Sequence, residues 1–300
     1  MENRFQLGQV GFFLLAKKEN ECNFSLFFTL ILYCDILSGK GDVAMAHKNK
    51  TIANREQYVV KSNELIQRTR YNLTTQQQKI VLFAISKIKP TDTVETEYEF
   101  SIDELCAACG MKIDSGGYYY VSIKSDIKRL TERQWCVLPD GNETTISWIG
   151  DATIVPGSGT VRVSFHKRMA PYLFELREKY TQYKLVNVLA FKGKYTIRLY
   201  ELLRSHITQK MIDADRESDF SISVKELREI LMVESYPRWA DFDRFILKKA
   251  VEEINLCADD IHIEHEPIKD GKTVSRVLFF ITPAKALQQY MAHNERRKRL

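Results

Sequence analysis

The sequence has little of what marks a secreted or membrane-embedded protein. Its six cysteines are scattered without the dense, regular spacing of a disulfide framework, which favours a reducing cytosol. No apolar run reaches the roughly 20 residues that a membrane-spanning helix needs. A formal net charge of only +5 does not indicate nucleic-acid binding by itself, so such a function must rest on where the charges lie. A chain of 300 residues without these features is predicted to be a cytoplasmic, globular protein of about two domains.

The longest apolar run, Phe24–Cys34, has the outline of a secretory signal, because lysines precede it and Ala44-Met45-Ala46 follows it. A second interpretation is a translated leader. Lys40-Gly41-Asp42 is compatible with a purine-rich ribosome-binding site just ahead of the Met45 codon, and the chain from Met45 begins as a short basic arm. We therefore predict that residues 1–44 are a leader outside the fold and that residues 45–56 are a basic arm.

An internal repeat organises the rest of the chain. Phe100-Ser101-Ile102 recurs as Phe220-Ser221-Ile222, and a helix containing Glu-Leu follows each copy. A polar loop with tyrosine, a basic amphipathic helix and a β-rich stretch with a turn come next in both places. This order of elements predicts an α+β fold made of two tandem winged helix-turn-helix domains.

The predicted domains occupy residues 57–168 and 169–284, and a basic tail follows at 285–300. A helix begins at Thr74 or Thr75, with Gln78 completing a capping box, and it stops before Pro90. A strand is predicted from 94 to 102, and a helix from Pro171 to about Tyr180 is expected in the connection between the domains.

Each domain contains a candidate recognition helix. In the first, Ser122 is the predicted cap, and Ile123, Ile127 and Leu130 recur at helical spacing and face the core. The remaining positions form a basic face with one hydroxyl. The predicted DNA contacts on this face are Lys124, Ser125, Lys128 and Arg129.

The second candidate recognition helix runs from Trp239 to about Asn255. The residues expected to face the core are Phe242, Phe245, Ile246, Ala250 and Ile254. The predicted DNA contacts on and beside this helix are Arg238, Arg244, Lys248 and Lys249. A hairpin with Asp270-Gly271 at its turn forms the wing, where Lys269 and Lys272 are predicted to meet the DNA backbone.

No cofactor, metal or catalytic residue is predicted. Cys106 and Cys109 have the spacing of a zinc or redox motif, but no second pair accompanies them, so a core helix is the simpler interpretation. Gly271-Lys272-Thr273 lacks the leading glycine and the strand-to-helix context of a phosphate-binding loop. A rolling-circle nicking enzyme, which is the enzymatic alternative, would need a His-hydrophobic-His pair that none of the six histidines supplies.

Four segments resemble the plasmid replication initiator (Rep) proteins of the iteron-binding, tandem winged-helix family. They are TTQQQKIVLFAISKI, FSIDEL, KYTIRLYELLR, and FDRFILKKAVEEIN followed by IEHEPIKDGKTVSRVLF, within Ile52 to Pro283. The resemblance implies binding to direct repeats (iterons) in double-stranded origin DNA, opening of the origin with a host replication initiator and helicase, and repression of its own gene as a homodimer. It also implies dimerisation through the first domain and sequence-specific binding through the second. A tandem winged-helix transcriptional regulator without a replication role is the alternative.

Overall fold

A computed structural model describes residues 57–109, 118–132, 142–174, 176 and 179–284, together with the backbone of residues 134–137. The predicted leader (1–44), basic arm (45–56) and basic tail (285–300) lie outside the described residues. Pro139-Asp140-Gly141-Asn142 predicts a turn between two strands, and its first three residues also lie outside the described residues.

The amino-terminal half contains two small sheets and five helices within the described residues. Its elements are β1 (Tyr58–Ser62), α1 (Asn63–Arg68), α2 (Thr75–Ile85), β2 (Tyr98–Ser101), α3 (Ile102–Ala108), α4 (Tyr118–Thr131), β3 (Gln134–Val137), β4 (Glu143–Ile146), β5 (Ile149–Ile154), β6 (Thr160–Phe165), a 3₁₀ turn (Lys167–Met169) and α5 (Ala170–Leu173). One sheet has the order β2-β6-β5, and β3 pairs with β4; all of these pairs are antiparallel.

The carboxyl-terminal part repeats the pattern of strand, helix, helix and hairpin. Its elements are β7 (Tyr180–Lys184), α6 (Leu185–Leu189), α7 (Lys194–Arg204), α8 (Gln209–Asp213), β8 (Ser218–Ser223), α9 (Val224–Leu231), α10 (Trp239–Phe242), a π-helical turn (Asp243–Leu247), α11 (Lys248–Cys257), β9 (Ile261–Asp270) and β10 (Thr273–Pro283). Its sheet has the order β8-β10-β9, which corresponds to β2-β6-β5 in the first half.

The two halves do contain equivalent elements, but their structural alignment differs from the alignment of the repeated Phe-Ser-Ile sequence. Ser101 caps α3 by accepting a hydrogen bond from the Glu104 N–H at 3.0 Å, and Ser223 caps α9 by accepting from the Glu226 N–H at 3.1 Å. The equivalent of Ser101 is therefore Ser223 and not Ser221. The second copy has a longer strand before its helix, so the two strand–cap–helix units are offset by two residues from the repeated Phe-Ser-Ile.

Several predicted boundaries need correction. The capping box of α2 uses Thr74 and Gln77, since the Thr74 hydroxyl accepts from the Gln77 N–H and the Gln77 side chain accepts from the Thr74 N–H. Gln78 instead donates to the Leu73 carbonyl oxygen. Only Tyr98–Ser101 of the predicted strand at 94–102 is a strand. The separate strand β5 was not predicted.

The connection after β6 is also different from the prediction. The helix expected from Pro171 to about Tyr180 ends at Leu173, and Tyr180 begins β7. This strand pairs with β1 along its whole length, from Tyr58 opposite Lys184 to Ser62 opposite Tyr180. The domain boundary at residue 168 stays a prediction, although a strand beyond it pairs with the first strand of the chain.

Helix α7 is buried along most of its length and packs against helices of both halves. Nine of its eleven residues, from Thr196 to Arg204, are buried, including two arginines and a glutamate. Arg198 donates to the hydroxyl of Tyr71 at 2.7 Å and to the carbonyl oxygen of Thr69 at 3.0 Å, which ties the helix to the amino-terminal half. Arg204 donates from Nε to Asp260 at 3.1 Å, in the turn before the carboxyl-terminal wing. The two halves therefore share this helix, and their apolar side chains form one continuous core.

Candidate nucleic-acid interface

The first recognition helix, α4, has the two faces that its sequence predicts. Ile123, Ile127 and Leu130 are at most 1% exposed. The four predicted DNA contacts on the opposite face are all exposed: Lys124, Ser125, Lys128 and Arg129. The predicted cap is wrong, because α4 begins at Tyr118 and Ser122 lies inside it. Ser122 instead bonds to the Gln76 side chain, which helps to fix α4 against α2.

An apolar strip that the sequence pattern does not indicate lies at the start of α4. Tyr118 is 70% exposed and Val121 is 67% exposed, and their spacing of three residues places them on one side of the helix. The aromatic run Tyr118-Tyr119-Tyr120 predicts interior packing at the entrance of the helix, and this is correct in part, since Tyr119 and Tyr120 are half-buried against the core. A solvent-exposed aromatic ring cannot be distinguished from a buried one by its type alone.

The second recognition helix is continuous from α10 through the π-helical turn into α11. Phe242, Ile246, Ala250 and Ile254 are buried as predicted. Phe245 is not: it is 36% exposed, while Leu247 is fully buried. A π turn contains one residue more than an α turn, which shifts the buried face by one position. The prediction that Phe245 faces the core, which assumed 3.6 residues per turn throughout the helix, was therefore wrong.

All four predicted DNA contacts of this helix are exposed, but their electrostatic surroundings differ. Arg238 forms an ion pair with Asp241 at 2.8 Å. Lys248 lies 3.3 Å from Asp243, whose other oxygen bonds to His265 Nε2 on β9 at 2.6 Å. Carboxylates of the same helix thus partly offset these two cations.

Arg244 and Lys249 have aromatic neighbours instead. The Arg244 guanidinium lies 5.3 Å from the ring centre of Phe245, and the Lys249 ammonium lies 5.6 Å from it. A cation over an aromatic face keeps its full charge, and an exposed contact of this kind contributes about 0.5–1 kcal/mol. Arg244 and Lys249 are therefore the cations of this helix best arranged to meet an anionic partner.

The wing extends as a long antiparallel hairpin of β9 and β10. Lys269 and Lys272 are exposed near its tip, on either side of Gly271. Gly271 has a φ of +59°, a backbone conformation that residues with a Cβ atom adopt at a cost. Both lysines therefore lie exposed at the tip of the wing.

Arg228 fixes the loop that leads into the second recognition helix, and sequence analysis did not identify it. Its guanidinium donates to the carbonyl oxygens of Ser235 and Tyr236 and lies 4.1 Å from the ring centre of Phe242. Burial lowers the pKa of Arg228 from its usual value. Within this loop Tyr236 has a φ of +59°, so the arginine holds a strained turn in place.

The structure brings the predicted residues together as two separate sets, one on α4 and one on the second recognition helix with its wing. Among the residues that the structure describes, no group of His, Cys, Asp or Glu side chains is arranged to hold a metal ion. The helices in this described part are also too short or too polar to cross a bilayer.

Comparisons with known proteins place the two sets of residues in two different domains of one protein family. A family model described as "Initiator Replication protein, WH1" matches residues 58–204, and one described as "Initiator Rep protein, WH2" matches residues 223–281. A replication initiation protein of Escherichia coli is 28% identical over 211 residues, which are 68% of this chain and 64% of that protein. The PI protein of Escherichia coli is 28% identical over 150 residues, which are 45% of this chain and 46% of that protein.

This chain therefore spans less than two thirds of the length of these curated relatives. The crystal structure of the Pi initiator protein in complex with iteron DNA has a similar fold, with a TM-score of 0.63 and 20% sequence identity over 76% of this chain and 98% of that one. The predicted α+β fold of two tandem winged helices is confirmed. Because the two family models together match more than half of its residues, the chain belongs to the family of initiator replication proteins built from the winged helices WH1 and WH2.

Proposed function

We propose that this protein initiates replication of a plasmid by binding direct repeats in the duplex DNA of the origin. The observation that supports this function most directly is the pairing of family membership with an exposed basic helix in each winged helix. An α-helix fits the major groove, where arginine and lysine address guanine. The similar fold of an initiator bound to iteron DNA is consistent with the same use of these helices.

The two winged helices have different tasks in this proposal. The second recognition helix specifies the sequence, because Arg244 and Lys249 stand beside an apolar ring. Lys269 and Lys272 at the wing contact phosphates, which position the protein without specifying the sequence. The first recognition helix, with Lys124, Ser125, Lys128 and Arg129, contacts the other part of each repeat or its backbone.

Further partners follow from the same proposal. A homodimer that forms through the first winged helix represses the protein's own gene, while the monomer acts at the origin. A host replication initiator and a host helicase assist in opening the adjacent AT-rich DNA. The protein acts by binding, and no chemical step is assigned to it.

The proposal is tested by fluorescence anisotropy with the direct repeats of the plasmid origin and with a scrambled duplex. If about 6 to 10 phosphates are neutralised, affinity for the repeats falls by about 10³ to 10⁵ between 50 and 200 mM salt. Arg244→Ala should weaken binding to the repeats more than binding to the scrambled duplex, whereas Lys272→Ala should weaken both alike. Equal losses of specificity in these two variants would contradict the division of tasks.

Matched controls come from exposed cations outside the interface. Arg216 lies before β8 and Lys210 lies on α8, and both are exposed. Arg216→Ala and Lys210→Ala should leave binding unchanged. Replication is tested separately by supplying the protein in trans to a plasmid that carries only the origin. Repeat binding without replication of that plasmid would favour the regulator over the initiator.

A further inference from the structure

The π-helical turn places an aromatic side chain on the surface of the second recognition helix. Phe245 follows Phe242 by three residues, so an uninterrupted α-helix would put both rings on the buried face. The structure instead buries Ile246 and Leu247 and leaves Phe245 36% exposed. π turns of this kind often occur at functional sites. The ring is therefore presented to solvent by the backbone geometry of the helix itself.

The exposed ring is held in place by its neighbours. Tyr236 stacks against it with a ring-centre distance of 5.1 Å and an interplanar angle of 28°. Tyr236 has a left-handed backbone conformation, and Arg228 holds the loop through the Tyr236 carbonyl oxygen. Arg244 and Lys249 lie within 5.6 Å of the ring centre. Phe245 is thus an apolar group with two cations and a stacked ring as close neighbours, and these neighbours restrict access to the ring faces.

Open space lies beside the ring. Phe245 borders a cleft of about 390 Å³ at the start of α7, which Tyr195 also lines. A ring with a stacked neighbour on its face and open space beside it is suited to contact a small apolar group rather than to stack on a base. In the major groove the apolar group on a base edge is the 5-methyl group of thymine.

We propose that Phe245 recognises the methyl group of a thymine in the bound repeat and so determines part of the sequence specificity. This inference rests on the proposed function, because it requires the second recognition helix to lie in the major groove. Arg244 and Lys249 would contact neighbouring bases or phosphates while the ring contacts the methyl group between them. The fixed loop at Tyr236 keeps the ring from turning away from the groove.

Removal of the methyl group from DNA tests the inference directly. Binding sites are first selected from a pool of randomised duplexes with the full chain. Each thymine of the selected site is then replaced, one at a time, by deoxyuridine, which lacks only the methyl group. Loss of one buried methyl group corresponds to about a fourfold loss of affinity. We expect this loss at one or two thymines for the unchanged protein.

The protein variants then assign that dependence to the ring. In Phe245→Ala and Phe245→Leu, deoxyuridine at those positions should have little further effect, because the ring edge that contacts the methyl group is absent. Phe280 on β10 offers a matched control, since it is 37% exposed and lies outside the recognition helix. Phe280→Ala should keep the full dependence on the methyl group.

Three results would overturn the inference. The first is a selected site whose affinity for the unchanged protein is insensitive to deoxyuridine at every position, a result that requires no variant to fold. The second is a methyl dependence that persists in Phe245→Ala. The third is an equal effect of Phe245→Ala on binding to single-stranded DNA, which would assign the ring to an unstacked base. Failure to select any sequence would instead overturn the proposed function, and this inference with it.

Discussion

Removal of the Glu201 carboxylate should be among the most damaging single changes to the core. Glu201 is 1% exposed and forms an ion pair with Lys61, which is equally buried. The hydroxyl of Tyr183 donates to the same carboxylate, and Arg198 Nη1 lies 3.8 Å from its second oxygen. Burial lowers the pKa of Lys61, and the charge of Glu201 opposes that shift. In Glu201→Ala the ammonium of Lys61 loses the group that compensates its burial.

Two physical limits set the size of the effect. Breaking a buried ion pair by removing one partner costs about 3–5 kcal/mol. Lys61 can avoid this cost by releasing its proton, which for an ordinary lysine requires about 4–5 kcal/mol at pH 7. A neutral amine can then accept the hydrogen bond of Tyr183, so the phenol is not left unpaired. We therefore expect Glu201→Ala to lower the free energy of unfolding by about 4 kcal/mol.

The pH dependence gives the effect a distinct signature. In the variant, the buried Lys61 binds fewer protons in the folded state than in the unfolded state, so stability rises with pH up to about 10.4. At pH 10 the release of the proton costs only about 0.5 kcal/mol. The stability difference between the unchanged protein and Glu201→Ala should therefore shrink to about 1 kcal/mol at that pH.

Urea unfolding, followed by tryptophan fluorescence, to which the buried Trp148 contributes, measures these differences at pH 7 and pH 10. A double variant, Lys61→Met with Glu201→Leu, removes both charges and should recover most of the lost stability, because apolar replacements of buried ion pairs are often neutral. A loss below about 1 kcal/mol in Glu201→Ala, or a double variant as unstable as the single one, would refute the reasoning.

Three further changes test other contacts. Arg228→Ala should weaken binding to the selected duplex by about tenfold and leave binding to a random duplex unaffected, because the loop at Tyr236 loses its fixed geometry. If an anisotropy titration gives the variant and the unchanged protein equal affinity for the selected duplex, the role of this arginine is contradicted. Glu253→Ala should lower the free energy of unfolding by about 2 kcal/mol, since the carboxylate accepts from the Gly193 N–H at 3.2 Å and caps α7. An unchanged midpoint of urea unfolding would contradict this role of Glu253. Burial lowers the pKa of His206 from 6.5 to about 4, so as the pH falls the unfolded state binds this proton before the folded state does. The free energy of unfolding therefore decreases as the pH falls from about 6.5 to 4. His206→Phe should show a flatter dependence of that free energy on pH over this range, and an identical dependence would exclude the histidine as its source.

Periodic patterns predicted the fold and the basic face of α4. Ile123, Ile127 and Leu130 recur at the helical period and are buried, and Lys124, Ser125, Lys128 and Arg129 on the opposite face are exposed as the pattern requires. The same reasoning failed at Phe245, because a π turn changes the period within the helix and leaves no mark in the spacing of apolar residues.

The burial of polar residues could not be predicted from the sequence, for a different reason. In α7 the sequence indicates one apolar stripe, yet Arg198, Glu201 and Arg204 are also buried. Their partners are distant in the chain: Tyr71 is 127 residues from Arg198, and Asp260 is 56 residues from Arg204. Only the tertiary structure shows that charged groups at these positions have partners.

If both recognition helices bind one DNA site, as proposed, the position of α7 limits the sites that this protein can accept. Because a buried helix with charged contacts to both halves joins the two winged helices, a change in the distance between them would disrupt those contacts. The spacing of the two parts of a binding site is then set by the protein. One inserted base pair shifts a half-site by about 3.4 Å and rotates it by about 35°. A protein whose two domains were joined by a flexible linker could bind both displaced half-sites, whereas this one would have to disrupt its core or release one half-site.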